Sequence, residues 1–281
     1  DREKLTREIN DRIPGNNQKL LIWWLGQSGF LIKSRNTAFV IDPYLSTALE
    51  EATKDMGPEI RHIRMMPVPV IPEQIRCLDY IFCTHDHGDH YDPESVRLLK
   101  KGNPSAKIVV PLALRPSLIR DGFPEEDIII AGTEMVCQCG KLEVKAIAGK
   151  HNEFDYSKAC GFPYVGFVIR VEGVCIYHSG DTILYEGLSE ALRKEAIDLG
   201  MMAINGYDDE RIRAGFQSNC TYREAAGLAK GAGIKWMVPC HYGMFTANTE
   251  QVEKYVNYMN ENPGMPDYLL PVIGEPLIIK E

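Results

Sequence analysis

An α/β fold in a single domain spanning residues 1–281 (α+β by some schemes) follows from three features of the sequence. Short β-prone apolar runs alternate with helical stretches, no repeat, low-complexity tract or linker interrupts the alternation, and 281 residues with 44% hydrophobic content can bury an ample core. The opening segment "DREKLTREINDRIPGNN" is polar and weakly helical and ends in a Pro-Gly turn, so residues 1–18 read as a peripheral N-terminal segment. "LLIWWLGQSGFLIKS" and "TAFVIDPYL" are apolar runs broken by Gly29 and by "SRN", the pattern of an antiparallel meander. Residues 57–76 contain four prolines, which excludes a regular element and makes this stretch a long loop, a candidate active-site loop. "LDYIFCT" is a strand, and "DPESVRLLKK" a helix with Asp92 as N-cap and Pro93 in its first turn. Further strands are expected at "AKIVVP", "DIIIAG", "LEVKAIAG", "YVGFVIRV", "VCIYHSG", "DLGMMAI" and "KWMVPCH". Helices are expected near 112–121, 187–196, 221–232 and 249–261, the third opened by a capping box of Thr221 and Glu224.

Composition narrows the setting. A net charge of −8 and a pI near 5.5, with no basic run, argue against a nucleic-acid partner, since phosphate affinity comes from clustered Lys and Arg. No apolar stretch reaches the length of a membrane span and no signal-peptide core is visible. The eight cysteines are scattered singly apart from Cys137 and Cys139, without C-x-x-C spacing, and read as reduced thiols in a cytoplasm. Cys83 and Cys240 fall in strand-like runs and read as core.

The histidines carry the chemistry. Of seven in the chain, three fall with two aspartates in "HDHGDH", His85 to His90, on the loop between a strand and the following helix. In extended chain His85 and His87 project to the same side, and Gly88 lets the backbone turn so that Asp89 and His90 face the same region. Three imidazoles and a carboxylate suit Zn, Mn or Fe rather than a soft thiolate-seeking metal. A capped polar loop is the alternative for one histidine, but not for this spacing.

"THDHGDH" resembles the T-H-x-H-x-D-H signature of the metallo-β-lactamase superfamily. Together with "WWLGQSGFLIKS", "FVIDPYL", "YHSGDT" and "VPCHYGMF" it is similar to the L-ascorbate-6-phosphate lactonase branch over roughly residues 20–250. The resemblance implies a four-layer αββα sandwich with a metal site, usually binuclear, at one edge of its two sheets. It implies that His85, His87 and His151 hold one metal and that Asp89, His90 and His241 hold the second, with Asp181 bridging; a substrate-contacting or surface histidine is the alternative for His151. The cofactor expected is one or two divalent ions per chain, Mn or Zn, with Fe also open.

Other candidates lie around this set. His178 sits on an apolar strand before Asp181 and reads as a buried, hydrogen-bonded histidine, with orientation of a ligand as the alternative. In the loop, "RHIR" places Arg61, His62 and Arg64 either on a solvated face or against an anionic substrate, and Arg211 and Arg213 of "YDDERIRAG" form a second basic candidate. Metal binding lowers the pKa of water from about 16 toward about 7 and so supplies a hydroxide at neutral pH, with Asp89 placed to relay the proton. A hydrolase is expected, and branch resemblance favours a sugar lactone, free or phosphorylated, with a phosphodiesterase as alternative. The expected partner is a small anionic substrate, and a homo-oligomer stays open.

Overall fold

The computed structural model describes residues 1–281. In the strand Gln18–Gly26 (β1), Leu20, Ile22 and Trp24 enter one apolar core while Leu21, Trp23 and Leu25 enter another. Side chains alternate faces along a strand, so a sheet buried on both faces must be covered on both. The remaining strands are β2 (Gly29–Lys33), β3 (Ala38–Ile41), β4 (Tyr80–Phe82), β5 (Lys107–Val110), β6 (Ile128–Ile130), β7 (Cys137–Cys139), β8 (Leu142–Ala148), β9 (Val165–Val171), β10 (Val174–His178), β11 (Leu199–Ala203), β12 (Trp236–Cys240), β13 (Asp267–Tyr268) and β14 (Leu277–Lys280). They form two seven-stranded sheets, ordered β14-β1-β2-β3-β4-β5-β6 and β13-β12-β11-β10-β9-β8-β7. Each is antiparallel in one half and parallel in the other, the change falling at β3 in the first sheet and at β10 in the second.

The helices are α1 (Arg2–Asp11), α2 (Ala48–Ala52), α3 (Pro93–Gly102), α4 (Arg115–Arg120), α5 (Leu188–Arg193), α6 (Asp209–Arg213), α7 (Tyr222–Ala232) and α8 (Val252–Glu261). Leu5 and Ile9 of α1, Val96 and Leu99 of α3 and Leu118 of α4 pack with the outer face of the first sheet. The larger core joins the two inner sheet faces and continues through the second sheet to Leu188 and Leu192 of α5, Ala225 and Ala229 of α7, and Tyr255 and Met259 of α8. The layers therefore run helix, sheet, sheet, helix, the four-layer sandwich expected. No helix is long and apolar enough to cross a membrane.

Local signals that carry their own stereochemistry agree with the structure. Asp92 accepts from the amides of Glu94 and Ser95 at the start of α3. Thr221 and Glu224 exchange side-chain and backbone hydrogen bonds of 2.8 and 3.3 Å at the start of α7. The proline-rich stretch is a loop with one 3-10 turn at Pro72–Gln74.

The N-terminal segment is more integral than its composition suggests. Asp1 caps α1 through the amides of Glu3 and Lys4, Leu5 and Ile9 are buried, and Lys33 Nζ donates to the carbonyls of Ile9 and Asn10 at 2.9 and 2.7 Å. A lysine on β2 thus satisfies carbonyls that the helix end leaves free. Strand β14, which pairs with β1 from the far end of the chain, and the short elements β7, β13, α2 and α6 are additions to the sequence reading.

Replacing Ile9 by Ala should lower stability by about 2–5 kcal/mol, because the side chain is fully buried under the first sheet. Urea denaturation measures this; a change below about 0.5 kcal/mol would return the helix to the periphery.

Candidate metal centre

The ends of six strands meet at one edge of the sandwich. β1, β3 and β4 point the same way in the first sheet, and β8, β10 and β12 do so in the second. Their C-terminal ends lead into Gln27, Asp42, the segment Thr84 to His90, His151, Asp181 and His241. Backbone carbonyls and amides are spent on the ladders up to these points, and the chain beyond is free to aim side chains.

Donor atoms gather there in two groups, each with its atoms within 4.8 Å of one another: His85, His87, His151 and Asp181 in one, Asp89, His90 and His241 in the other. Asp181 touches both, with Oδ2 at 3.5 Å from His151 Nε2 and at 3.3 Å from His241 Nε2, and Oδ1 at 3.2 Å from His90 Nε2. His241 Nε2 lies 3.3 Å from Asp89 Oδ2, and His85 Nε2 lies 3.0 Å from His87 Nδ1.

The neighbours decide which ring nitrogen is free. His90 Nδ1 donates to Asp42 Oδ2 at 2.7 Å, which turns Nε2 toward Asp89 and Asp181. Thr84 Oγ1 donates to Asp42 at 2.8 Å and accepts from His85 Nδ1 at 2.9 Å, leaving His85 Nε2 for the site. His151 Nδ1 donates to the Ser218 carbonyl at 2.8 Å. His90 Nε2 and Asp181 Oδ1 are buried and face each other at 3.2 Å without hydrogen-bond geometry, and neither has another partner. Buried polar atoms left so are costly unless a cation satisfies them, and nitrogen and carboxylate donors in this number suit a divalent transition metal. The donor set fits one or two such ions.

The electrostatics agree. Burial holds the His85 imidazole well below its ordinary pKa and His151 down to about 4, so both are neutral donors at pH 7. Burial also opposes charge on His241, but Asp181 and Asp89 prevail and push it up to about 9. Burial would raise the Asp181 carboxyl, yet His241 and His90 hold it well below the usual carboxylate range. The centre without metal is a buried pair of carboxylates compensated by protons on imidazoles, and a divalent ion would replace those protons.

Three non-glycine residues at these strand ends adopt left-handed backbone: Gln27 (φ 50°), Asp42 (φ 46°) and His241 (φ 60°). Such conformations cost about 1–3 kcal/mol each and persist where surrounding bonds impose them. Asp42 N donates to Phe82 O and His241 N to Gln27 O, both at 2.9 Å. Gln27 Nε2 in turn donates to Asp89 Oδ2 at 2.7 Å. Asp42 and Gln27 are functional residues that the motif reading does not single out, although "FVIDPYL" and "WWLGQSGFLIKS" contain them. Their sequence signal is a lone polar residue at the end of an apolar strand.

A cleft of about 270 Å³ opens on the donors, lined also by Leu49, His62, Gly88, Phe216, Gln217 and Asn248. Of the substrate candidates, His62 is brought to this cleft. The arginines are not. Arg64 donates to the carbonyls of Ser46 and Met66 at 2.9 and 3.1 Å and lies over the Tyr44 ring at 4.9 Å. Arg211 is held by Asp208, the Asn205 carbonyl and Asn248 Oδ1 at 2.7, 2.8 and 3.3 Å. Arg61 and Arg213 are absent from the lining, Arg213 in the exposed last turn of α6. Half-buried guanidinium groups fold back on loop carbonyls because each has several donors to satisfy. His178 is buried, with Nε2 at 2.8 Å from the Ser28 carbonyl and Nδ1 accepting from Gly180 N at 3.2 Å, and stands 3.9 Å from Asp42. It is held by its own backbone partners beside Asp42 and offers no donor to the metal groups. Cys83 and Cys240 are fully buried core.

The fold and the centre define a metal-dependent hydrolase. Residues 37–242 match the beta-lactamase superfamily domain, and the chain belongs to the metallo-β-lactamase superfamily. It is 28% identical over 243 residues, 82% of this chain and 77% of the other, to a UPF0173 metal-dependent hydrolase of Anaeromyxobacter sp. (strain K). To a UPF0173 metal-dependent hydrolase of Thermodesulfovibrio yellowstonii it is 25% identical over 273 residues, 92% of each chain. The isothiocyanate hydrolase from Delia radicum gut bacteria shares the fold, with a TM-score of 0.72 at 18% identity, covering 92% of this chain and 99% of that one.

Asp42→Asn should lower metal affinity by about 10–100-fold, the range for removing a partner that orients a ligand, read by competition with a chromophoric chelator. An unchanged affinity would make Asp42 purely structural. A second expectation concerns pH. A His241 proton must leave before the ring can coordinate, so affinity should climb with pH until about 9 and then level. The raised pKa of His241 stabilises the metal-free chain fully below the unfolded value of about 6.5, and that contribution is lost as pH rises through about 9. Chelator competition across this window, flat with pH, would refute the assignment.

Proposed function

We propose that the protein hydrolyses small carboxylic esters, and in particular opens lactones of polyhydroxylated acids. The observation that carries this reading is the cleft: beside the metal-binding donors it is lined by Leu49, His62, Gly88, Gly215, Phe216, Gln217 and Asn248, with no Lys or Arg in the lining. His85, His87, His151, Asp89, His90, His241 and Asp181 would hold a divalent metal, which when bound would supply Lewis acidity and lower the pKa of water toward about 7.

The chain's own groups do the rest. Asp89 is oriented by Gln27 and opens on the cleft, where it can accept and pass on a proton. The amide of Asn248, anchored through Asn205 and Arg211, and that of Gln217 offer hydrogen bonds to hydroxyl groups, while Leu49 and Phe216 supply apolar contact and exclude water. Arg211 thus serves the cleft by holding Asn248. A phosphorylated lactone and a phosphodiester are weaker readings, because no guanidinium or ammonium stands ready for a phosphate.

Metal-loaded protein, prepared separately with Mn, Zn and Fe, should hydrolyse small lactones faster than bis-p-nitrophenyl phosphate. Asp181→Ala should lose metal and at least about 100-fold in rate, since it contacts donors of both groups. Preference for the phosphodiester would overturn the lactonase reading.

A further inference from the structure

Six lining residues of the cleft can titrate, and five of them, His87, Asp89, His151, Asp181 and His241, belong to the metal-binding donors. The sixth is His62. No hydrogen bond or ion pair joins it to a ligand, so it alone keeps both ring nitrogens outside the metal-binding set.

Its placement is built. The segment around His62 is stitched beside the strand end that carries His241: Thr246 N donates to Ile63 O at 3.1 Å, Met65 N donates to Met244 O at 2.7 Å, and Arg64 pairs with Phe245. The His62 amide donates to Thr53 Oγ1 at 3.0 Å. The ring is held between Phe216 and Phe245, with centroids at 5.5 and 5.0 Å. Nδ1 is shut away from solvent without a partner, so the edge presented to the cleft carries Nε2. An imidazole clamped by two phenyl rings has little freedom to turn, and a ring with one nitrogen in apolar surroundings and the other in a polar cleft exchanges protons at one position.

We infer that His62 is a catalytic residue that carries a proton to the leaving oxygen of the ester or lactone. The inference rests on the ester reading of the cleft. The attacking water forms its C–O bond to the carbonyl carbon, the carbonyl π pair moves to oxygen, and Asp89 takes the proton the water gives up and passes it across the cleft to His62 Nε2. When the carbonyl re-forms, the C–O bond to the leaving oxygen breaks, that oxygen keeps the electron pair and receives the proton from Nε2. The products are a carboxylic acid and an alcohol, one hydroxy acid in the case of a lactone, and the ring returns neutral. Burial lowers the pKa of His62, against the field of Asp89, which suits a ring that begins and ends the cycle uncharged.

The role is tested by leaving-group dependence. His62→Phe keeps the packing between the two phenyl rings, and His62→Gln keeps a hydrogen-bonding group; metal content and unfolding midpoint of each should match the parent. With Mn- or Zn-loaded full chain and two esters of one acid, kcat on the alkyl ester should fall about 100-fold in both variants. On the p-nitrophenyl ester, whose phenolate departs without a proton, it should fall less than about threefold, with KM little changed. Equal losses on both esters, or loss in the Phe variant with full recovery in the Gln variant, would overturn proton delivery and leave a binding role. Failure of the parent to turn over any ester or lactone would overturn the ester reading and this inference together.

Discussion

The Asp42 carboxylate is the point from which the centre is built. It sits fully buried at the end of β3 on a left-handed backbone and receives the Thr84 amide, the Thr84 hydroxyl and His90 Nδ1 at 2.8, 2.8 and 2.7 Å. One acceptor therefore ties two adjacent parallel strands together where their ladder ends and sets the orientation of a ligand. Thr84 passes the same polarity to His85. A buried carboxylate is tolerated because these three groups donate to it, and each of these donors is thereby fixed in direction.

The other sheet meets this arrangement through close backbone packing. Gly180 lies between Ser179 and Asp181 with φ of +54°, and a Cβ there would come within 2.4 Å of Val165 O and 3.0 Å of Thr84 Cβ. Only a residue without a side chain lets the end of β10 approach the loop after β4 this closely, and the approach brings Asp181 to donors of both groups. The tight joint between the sheets is what converts two clusters into one centre.

Charge is distributed with a clear division. Arg64 of the proline-rich loop and Arg211 of α6 stabilise loop carbonyls, and Arg211 also holds Asn248, while the polar lining of the cleft is left to histidines, carboxylates and amides. A strongly basic lining would compete with bound cations and draw phosphate indiscriminately; a neutral one leaves attraction of the substrate to the centre itself.

Much of this was legible in the chain. Period-two runs such as "LLIWWLG", the Asp92-Pro93 helix start, the Thr221–Glu224 capping box and the histidine cluster act through local stereochemistry and ligand chemistry, which a short stretch carries by itself. What depends on partners far along the chain was not legible: β14 depends on β1, and the burial of the weakly helical opening segment depends on the first sheet, so their short apolar content has meaning only against those surfaces. The same division runs through the site. Residue types and spacing marked His85, His87, Asp89 and His90 as metal donors. Tertiary structure decided that Asp42 and Gln27 orient them, that Arg64 and Arg211 turn away, and that His62 reaches the cleft, because the direction of a side chain depends on packing and hydrogen-bond satisfaction between segments that no local pattern records.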